Sequence, residues 1–159
     1  MSPTAPNTTY TSIVDALLIL LRDDHVLLAR RQGTGYADGM WNLPSGKLEA
    51  NETITQAAIR EAQEEIGVHI TEPDLRFAHL IHYRNPHGHA RIGVFFHATH
   101  WTGTPHNAEP HKCSEVTWQP LHNLPSDTYP YTAQGLAAFT RQTPLSTIGW
   151  DSPRPFHGP

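Results

Sequence analysis

Residues 46–68 constrain the fold of this chain more than any other stretch. They place Gly46, Glu52, Arg60, Glu61, Glu64, Glu65 and Gly67 at fixed spacing, with five residues between the first two and seven between Glu52 and Arg60. Thr53 and Gln56 have the spacing of a capping box, so a helix is predicted to begin at Ile54. Gly67 suits the left-handed residue that closes such a helix, with apolar Val68 after it. Ile54, Ala58, Ala62 and Ile66 recur every four residues and give the helix a stripe to bury. Glu61, Glu64 and Glu65, at i, i+3 and i+4, share another face.

That acidic face breaks two local rules. Like charges at i,i+4 cost about 0.2–0.5 kcal/mol per pair. Acids in the last helical turn oppose the macrodipole by about another 0.3–1 kcal/mol each at exposed positions. A segment that violates local preference without visible compensation marks a functional site. A divalent cation supplies the compensation, and carboxylate oxygens select hard Mg²⁺, with Mn²⁺ as the alternative, over zinc. The competing account is a solvated acidic face in which Arg60 pairs with Glu64.

The fixed residues resemble the Nudix box, G-x5-E-x7-R-E-U-x-E-E-x-G-U with U aliphatic, and every fixed position is filled. Two departures are mild: Ser45 stands where a glycine usually precedes the box, and Ala62 is small for an aliphatic position. The resemblance implies an α/β fold, a Nudix-type α/β/α sandwich with a mixed β-sheet, in which a loop-helix-loop holds metal against a diphosphate. On that basis Glu64 and Glu65 match the paired acids that ligate metal. Glu61 matches an acid that ligates metal in some members and acts as general base in others. Arg60 matches the arginine that orients these carboxylates, and the Gly46 carbonyl completes the coordination. The family also draws an acid from a later loop as base or extra ligand; Glu109 is the first candidate by position and Glu115 the second.

Composition is compatible with a small enzyme. A chain of 159 residues suffices for one domain with a real core. The 11 Lys and Arg against 15 acids argue against a basic surface for long nucleic acid. The single cysteine, Cys113, excludes an internal disulfide and reads as a buried thiol rather than a nucleophile. No apolar run is long enough to span a bilayer, and residues 1–9 lack the pattern of a secretory signal, so the expected location is cytoplasmic. The 12 histidines are scattered and show no zinc-ligand spacing.

The expected order is a loose segment over 1–10, a domain over 11–145 and an irregular Pro-containing tail over 146–159, with Trp150 a candidate to dock that tail. Within the domain, 12–21 and 26–30 read as a hairpin, 32–40 as a Gly-containing loop, and 75–83 and 91–99 as strands around a loop at 84–89. A loop at 103–112, a strand at 115–119 and a second helix at 131–141 follow.

The substrate is expected to be a small-molecule nucleoside diphosphate derivative. Arg30 and Arg31 are candidates for a substrate phosphate. Tyr83 is similar in position to a tyrosine of some dinucleoside polyphosphate hydrolases, and Tyr36, Trp41, Tyr83 and Phe96 are the aromatics available to stack on a base, with core packing the competing role. The compact chain favours the MutT-like branch, which acts on nucleoside triphosphates; dinucleoside polyphosphates and nucleotide sugars are the alternatives. An intact box and the lack of an appended helix-turn-helix weigh against a non-catalytic nucleotide sensor. A homodimer is allowed by the family's habits.

Overall fold

A computed structural model of the chain describes residues 9–151. Of the loose segments expected over 1–10 and 146–159, residues 1–8 and 152–159, including Pro153, Pro155 and Pro159, lie outside the described residues.

The fold is organised by strand β1, Ile13–Arg22, whose residues 15–20 are all buried. An apolar run of that length needs cover on both faces, as the sequence predicts. Strand β2, His25–Arg31, returns from it as the expected hairpin, with Leu21 opposite Val26. Two short strands follow, β3 at Trp41–Asn42 and β4 at Ser45–Lys47. Helix α1 is Ile54–Ile66, and β5, Leu75–Arg84, and β6, Ala90–Ala98, form an antiparallel pair. Strand β7, Cys113–Pro120, lies on β2; helix α2 spans Pro130–Thr140; β8, Leu145–Ile148, is the last element.

The sheet runs β3-β2-β1-β6-β5-β8, with β4 added to β1 and β7 to β2. The β1–β6 and β5–β8 pairs are parallel and the rest antiparallel, which makes the sheet mixed. Side chains alternate along β1. Ala16, Leu18 and Leu20 join Ala57, Ala58, Ala62 and Ile66 of α1 in one core. Leu17 and Ile19 join Tyr131 and Leu136 of α2 in the other. The molecule is therefore an α/β/α sandwich. Among the described residues no helix is long and apolar enough to cross a membrane.

Two short elements correct the sequence reading. The expected irregular tail from 146 onward begins as strand: β8 pairs in parallel with β5, from Leu80 opposite Leu145 to Tyr83 opposite Ile148. It has exposed or half-buried residues and no apolar pattern of its own, so the neighbouring strand defines it. Trp150 does dock this segment, donating from Nε1 to the His82 carbonyl at 3.1 Å, with Arg84 over its ring at 4.5 Å. Strand β4 was hidden for the same reason. Three residues around a glycine carry no period, yet they pair with 15–17 of β1 and fix the approach to α1.

Candidate active site

Helix α1 starts and stops where its sequence directs. The Thr53 hydroxyl accepts from the Gln56 N–H at 3.2 Å, and the Gln56 side chain accepts from the Thr53 N–H at 2.8 Å. Gly67 closes the helix at φ 66, in the left-handed region. With the apolar stripe seated on β1, Glu61 is carried inward and is buried, whereas Glu64 remains exposed. Gly46 on β4 lies against the Glu61 carboxylate, and a Cβ there would overlap its carbon and oxygens. Glycine at 46 is thus required by close approach rather than by a positive φ. Ser45 is absent from the positive-φ residues, which explains why the departure from glycine there is harmless.

Arg60 is the hub of the cluster. Its Nε and Nη2 donate to the two oxygens of Glu52 at 3.0 and 2.7 Å. Its Nη1 donates to Glu61 Oε1 at 2.5 Å and reaches Glu64 Oε2 at 3.4 Å, and Nη2 also meets the Lys47 carbonyl at 3.1 Å. The Arg60 guanidinium and the Glu49 N–H hold the Glu52 carboxyl down at about 2. The acidic face is therefore not wholly uncompensated, as the sequence had it. Arg60 neutralises part of it, but through Glu52 as much as through the acids on its own helix.

Glu65 has no such cation. Its Oε2 accepts from the Ser45 N–H at 2.8 Å, but burial, with Glu61 and Glu109 nearby, pushes its carboxyl up to about 8. Burial likewise raises Glu61, against the pull of Arg60, and Glu64 and Glu109 add to the rise. Glu109 thus comes from the 103–112 loop to the α1 acids; Lys112 donates to its Oε1 at 2.9 Å. Glu115 is instead exposed on β7 opposite Arg30 and does not border the cavity.

The side chains of Glu61, Glu64 and Glu65 and the backbone of Gly46 offer only oxygen ligands, chemistry that would suit Mg²⁺ or Mn²⁺ rather than a thiolate or imidazole metal. Among the described residues no three His, Cys, Asp or Glu side chains already converge as a closed cluster. A partial set is what Mg²⁺ uses, since it keeps waters and takes phosphate oxygens as ligands.

The acids open into a cavity of about 660 Å³, within the range of small-molecule sites. Arg30, Arg31 and Tyr83 all border it. The β2–β7 register shifts between Arg30 and Arg31, which interrupts the alternation of faces. Both arginines also hold the 32–40 loop: Arg30 donates to the Gly39 carbonyl at 2.9 Å and to Asp127 at 2.8 Å, Arg31 to the Tyr36 carbonyl at 3.0 Å. Of the stacking candidates, Trp41 and Phe96 are core residues. Tyr36 is exposed at the cavity with its hydroxyl against that of Tyr129, and Tyr83 packs on Tyr131 with centroids 5.1 Å apart. Cys113 is a buried thiol whose Sγ donates to the Glu115 carbonyl at 3.1 Å, and burial raises its pKa.

Sequence reasoning missed Asp15, Asn42, Arg91 and Tyr131, which also line the cavity. One signal was available: Asp15 is a lone acid inside an otherwise apolar strand.

The family model described as NUDIX domain matches residues 11–141. An 8-oxo-dGTP diphosphatase of Proteus vulgaris is 36% identical over 88 residues, covering 55% of this chain and 76% of that protein. A CTP pyrophosphohydrolase of Escherichia coli strain K12 is 35% identical over 83 residues, covering 51% of this chain and 62% of that protein. The fold is similar to the crystal structure of a MutT NUDIX hydrolase from Burkholderia pseudomallei, with a TM-score of 0.73 and 24% identity over 80% of this chain and 98% of that one.

Proposed function

The chain belongs to the NUDIX family of hydrolases, enzymes acting on pyrophosphate bonds, and from that premise we propose that it hydrolyses a nucleoside triphosphate to nucleoside monophosphate and pyrophosphate. The observation that carries this reading is one cavity bordered by Glu61, Glu64, Glu65 and Glu109 together with Arg31 and Tyr36. Its volume suits a nucleotide. The named activities of these two relatives, on 8-oxo-dGTP and CTP, support a triphosphate as the substrate.

Glu61, Glu64, Glu65 and the Gly46 carbonyl would hold a divalent cation, which would supply charge neutralisation at the phosphate oxygens and acidify water. Arg60 keeps Glu61 and Glu64 oriented and leaves Glu52 a supporting role, since its fork covers both Glu52 oxygens. Glu109 is the proposed proton acceptor for the attacking water. Lys112 holds Oε1, and Oε2 has no hydrogen-bond partner among the described residues. Arg31 and Lys47 border the same cavity and add positive charge for the phosphates. A carboxyl raised by burial, in a cavity with further acids, is in keeping with a functional site.

The test is a Mg²⁺-dependent hydrolysis screen with Glu64→Gln as control. It covers ordinary and 8-oxo nucleoside triphosphates, ADP-ribose, diadenosine polyphosphates and nucleotide sugars, with products resolved by chromatography. Monophosphate and pyrophosphate from one triphosphate, lost in Glu64→Gln, is the expected result. Cleavage of only the other classes overturns the substrate. Binding without turnover overturns the enzyme reading in favour of a sensor.

A further inference from the structure

Asp15 is buried in the central strand, at 7% exposure, in a position where every neighbour along the strand is apolar. Its Oδ2 forms an ion pair with Arg91 Nε at 2.9 Å and accepts from the Tyr131 hydroxyl at 3.4 Å. The arrangement is built from three elements: β1, β6 and α2. Gly93, opposite Asp15 on β6, has no side chain, and a Cβ there would overlap the Tyr131 hydroxyl. That glycine makes the space through which α2 reaches Asp15.

Stability does not account for the pair. Desolvating two charges costs about as much as their attraction returns, and apolar residues of similar size commonly do as well or better. What the pair does provide is a hydrogen-bonding surface. Asp15 Oδ1 and both Nη atoms of Arg91 have no hydrogen-bond partner among the described residues, and both side chains border the cavity. An acceptor and a set of donors thus stand side by side. The pair is neutral overall, and its carboxylate disfavours phosphate. Its complement is an uncharged group with an N–H beside a carbonyl or ring nitrogen, which is the edge of a nucleobase. Tyr83 and Tyr131 pack on one another beside it, buried in the core but bordering the cavity.

We infer that Asp15 and Arg91 read the hydrogen-bonding edge of the nucleobase and determine which base the site accepts. This rests on the nucleotide-hydrolase reading above. A bidentate contact of this kind discriminates between bases by about tenfold to a hundredfold.

The experiment titrates AMP, GMP, CMP and UMP, with inorganic tripolyphosphate as the base-free probe, into the wild-type chain with Mg²⁺ by calorimetry. Asp15→Asn follows, then the charge-neutral double variant Asp15→Asn with Arg91→Gln, and Tyr131→Phe, which loses only a hydroxyl. Kinetic constants are measured on the matching triphosphates. The expected result is a reordering of base preference by about tenfold or more in Asp15→Asn and the double variant, chiefly in Kd and KM, with tripolyphosphate affinity within about twofold of wild type. If Asp15→Asn does not fold, the double variant carries the comparison. The same base ranking in every folded variant overturns the inference, as does an equal loss for tripolyphosphate. Wild-type protein that binds none of the four nucleotides overturns the nucleotide reading itself, whereas normal triphosphate turnover with an unchanged ranking overturns only the role of the pair.

Discussion

Glu65 should make the metal-free protein less stable as pH rises. Its carboxyl moves from the ordinary 4.5 to about 8 because folding buries it beside Glu61 and Glu109. A raised acid pKa means that the folded state holds its proton more tightly than the unfolded chain. Its contribution is therefore fully present below pH 4.5, falls by about 1.4 kcal/mol per pH unit through the interval, and is gone above about 8. The full interval corresponds to about 5 kcal/mol, and relaxation of the site lowers this toward about 2. Even the lower figure is a large part of a typical 5–15 kcal/mol domain stability. Glu65→Gln removes the titration while its amide oxygen can still accept from Ser45.

The assay is urea unfolding of wild type and Glu65→Gln in a chelator at pH 4.5, 6, 7 and 8. The two proteins should be nearly equal at pH 4.5, and the variant should gain by about 2–5 kcal/mol by pH 8. The raised Glu61 carboxyl acts in the same direction and is coupled to Glu65, so replacing Glu65 also relieves Glu61 and adds to the variant's gain. Saturating Mg²⁺ should flatten the wild-type slope, because a cation favours the ionised carboxylate. A gain that stays constant across this range would refute the reasoning: Glu65 would then be ionised throughout, and burial would not be what governs it.

Gly46→Ala should lower kcat by at least about tenfold, about 1.4 kcal/mol, with little change in melting temperature, because the added Cβ displaces the end of the Glu61 side chain rather than backbone. Arg60→Lys should lose both activity and thermal stability, since one ammonium cannot replace a fork that meets Glu52 twice, Glu61 and the Lys47 carbonyl; an unchanged melting curve would remove Arg60 from the hub. Glu109→Gln should flatten the acid limb of the kcat–pH profile, and an unaltered profile would leave the residue a loop acid paired with Lys112.

The parts legible in the sequence are those whose cause is local. Thr53, Gln56 and Gly67 specify the ends of α1 through bonds spanning six residues or fewer, and they appear as read. Residues 16–20 of β1 are buried on both faces because no partner arrangement could leave such a run in water. Strands β4 and β8 were hidden because each exists only through its neighbour, β1 or β5. The compensation of the acidic face was misjudged for a related reason. Arg60 is one residue from Glu61, but its main partner, Glu52, lies on the loop before the helix, eight residues away.

The same distinction separates the chemistry of the site from its selectivity. Glu61, Glu64 and Glu65 are neighbours by helical period, so a sequence alone brings them together, and Gly46 joins them over a short loop. The rest of the cavity lining has no such period. Tyr131 reaches Asp15 across 116 positions, and Thr132 meets Asn42 across 90. A substitution on β1, β6 or α2 can therefore alter that lining without disturbing a single residue of the acidic helix. A contiguous metal segment can stay fixed while the dispersed lining changes, and that is physical reason enough for a chain like this to declare its reaction in one stretch and its substrate nowhere in particular. It follows that base preference should respond to Asp15 and Arg91 in KM, whereas Glu61 and Glu64 should act on kcat for every base alike.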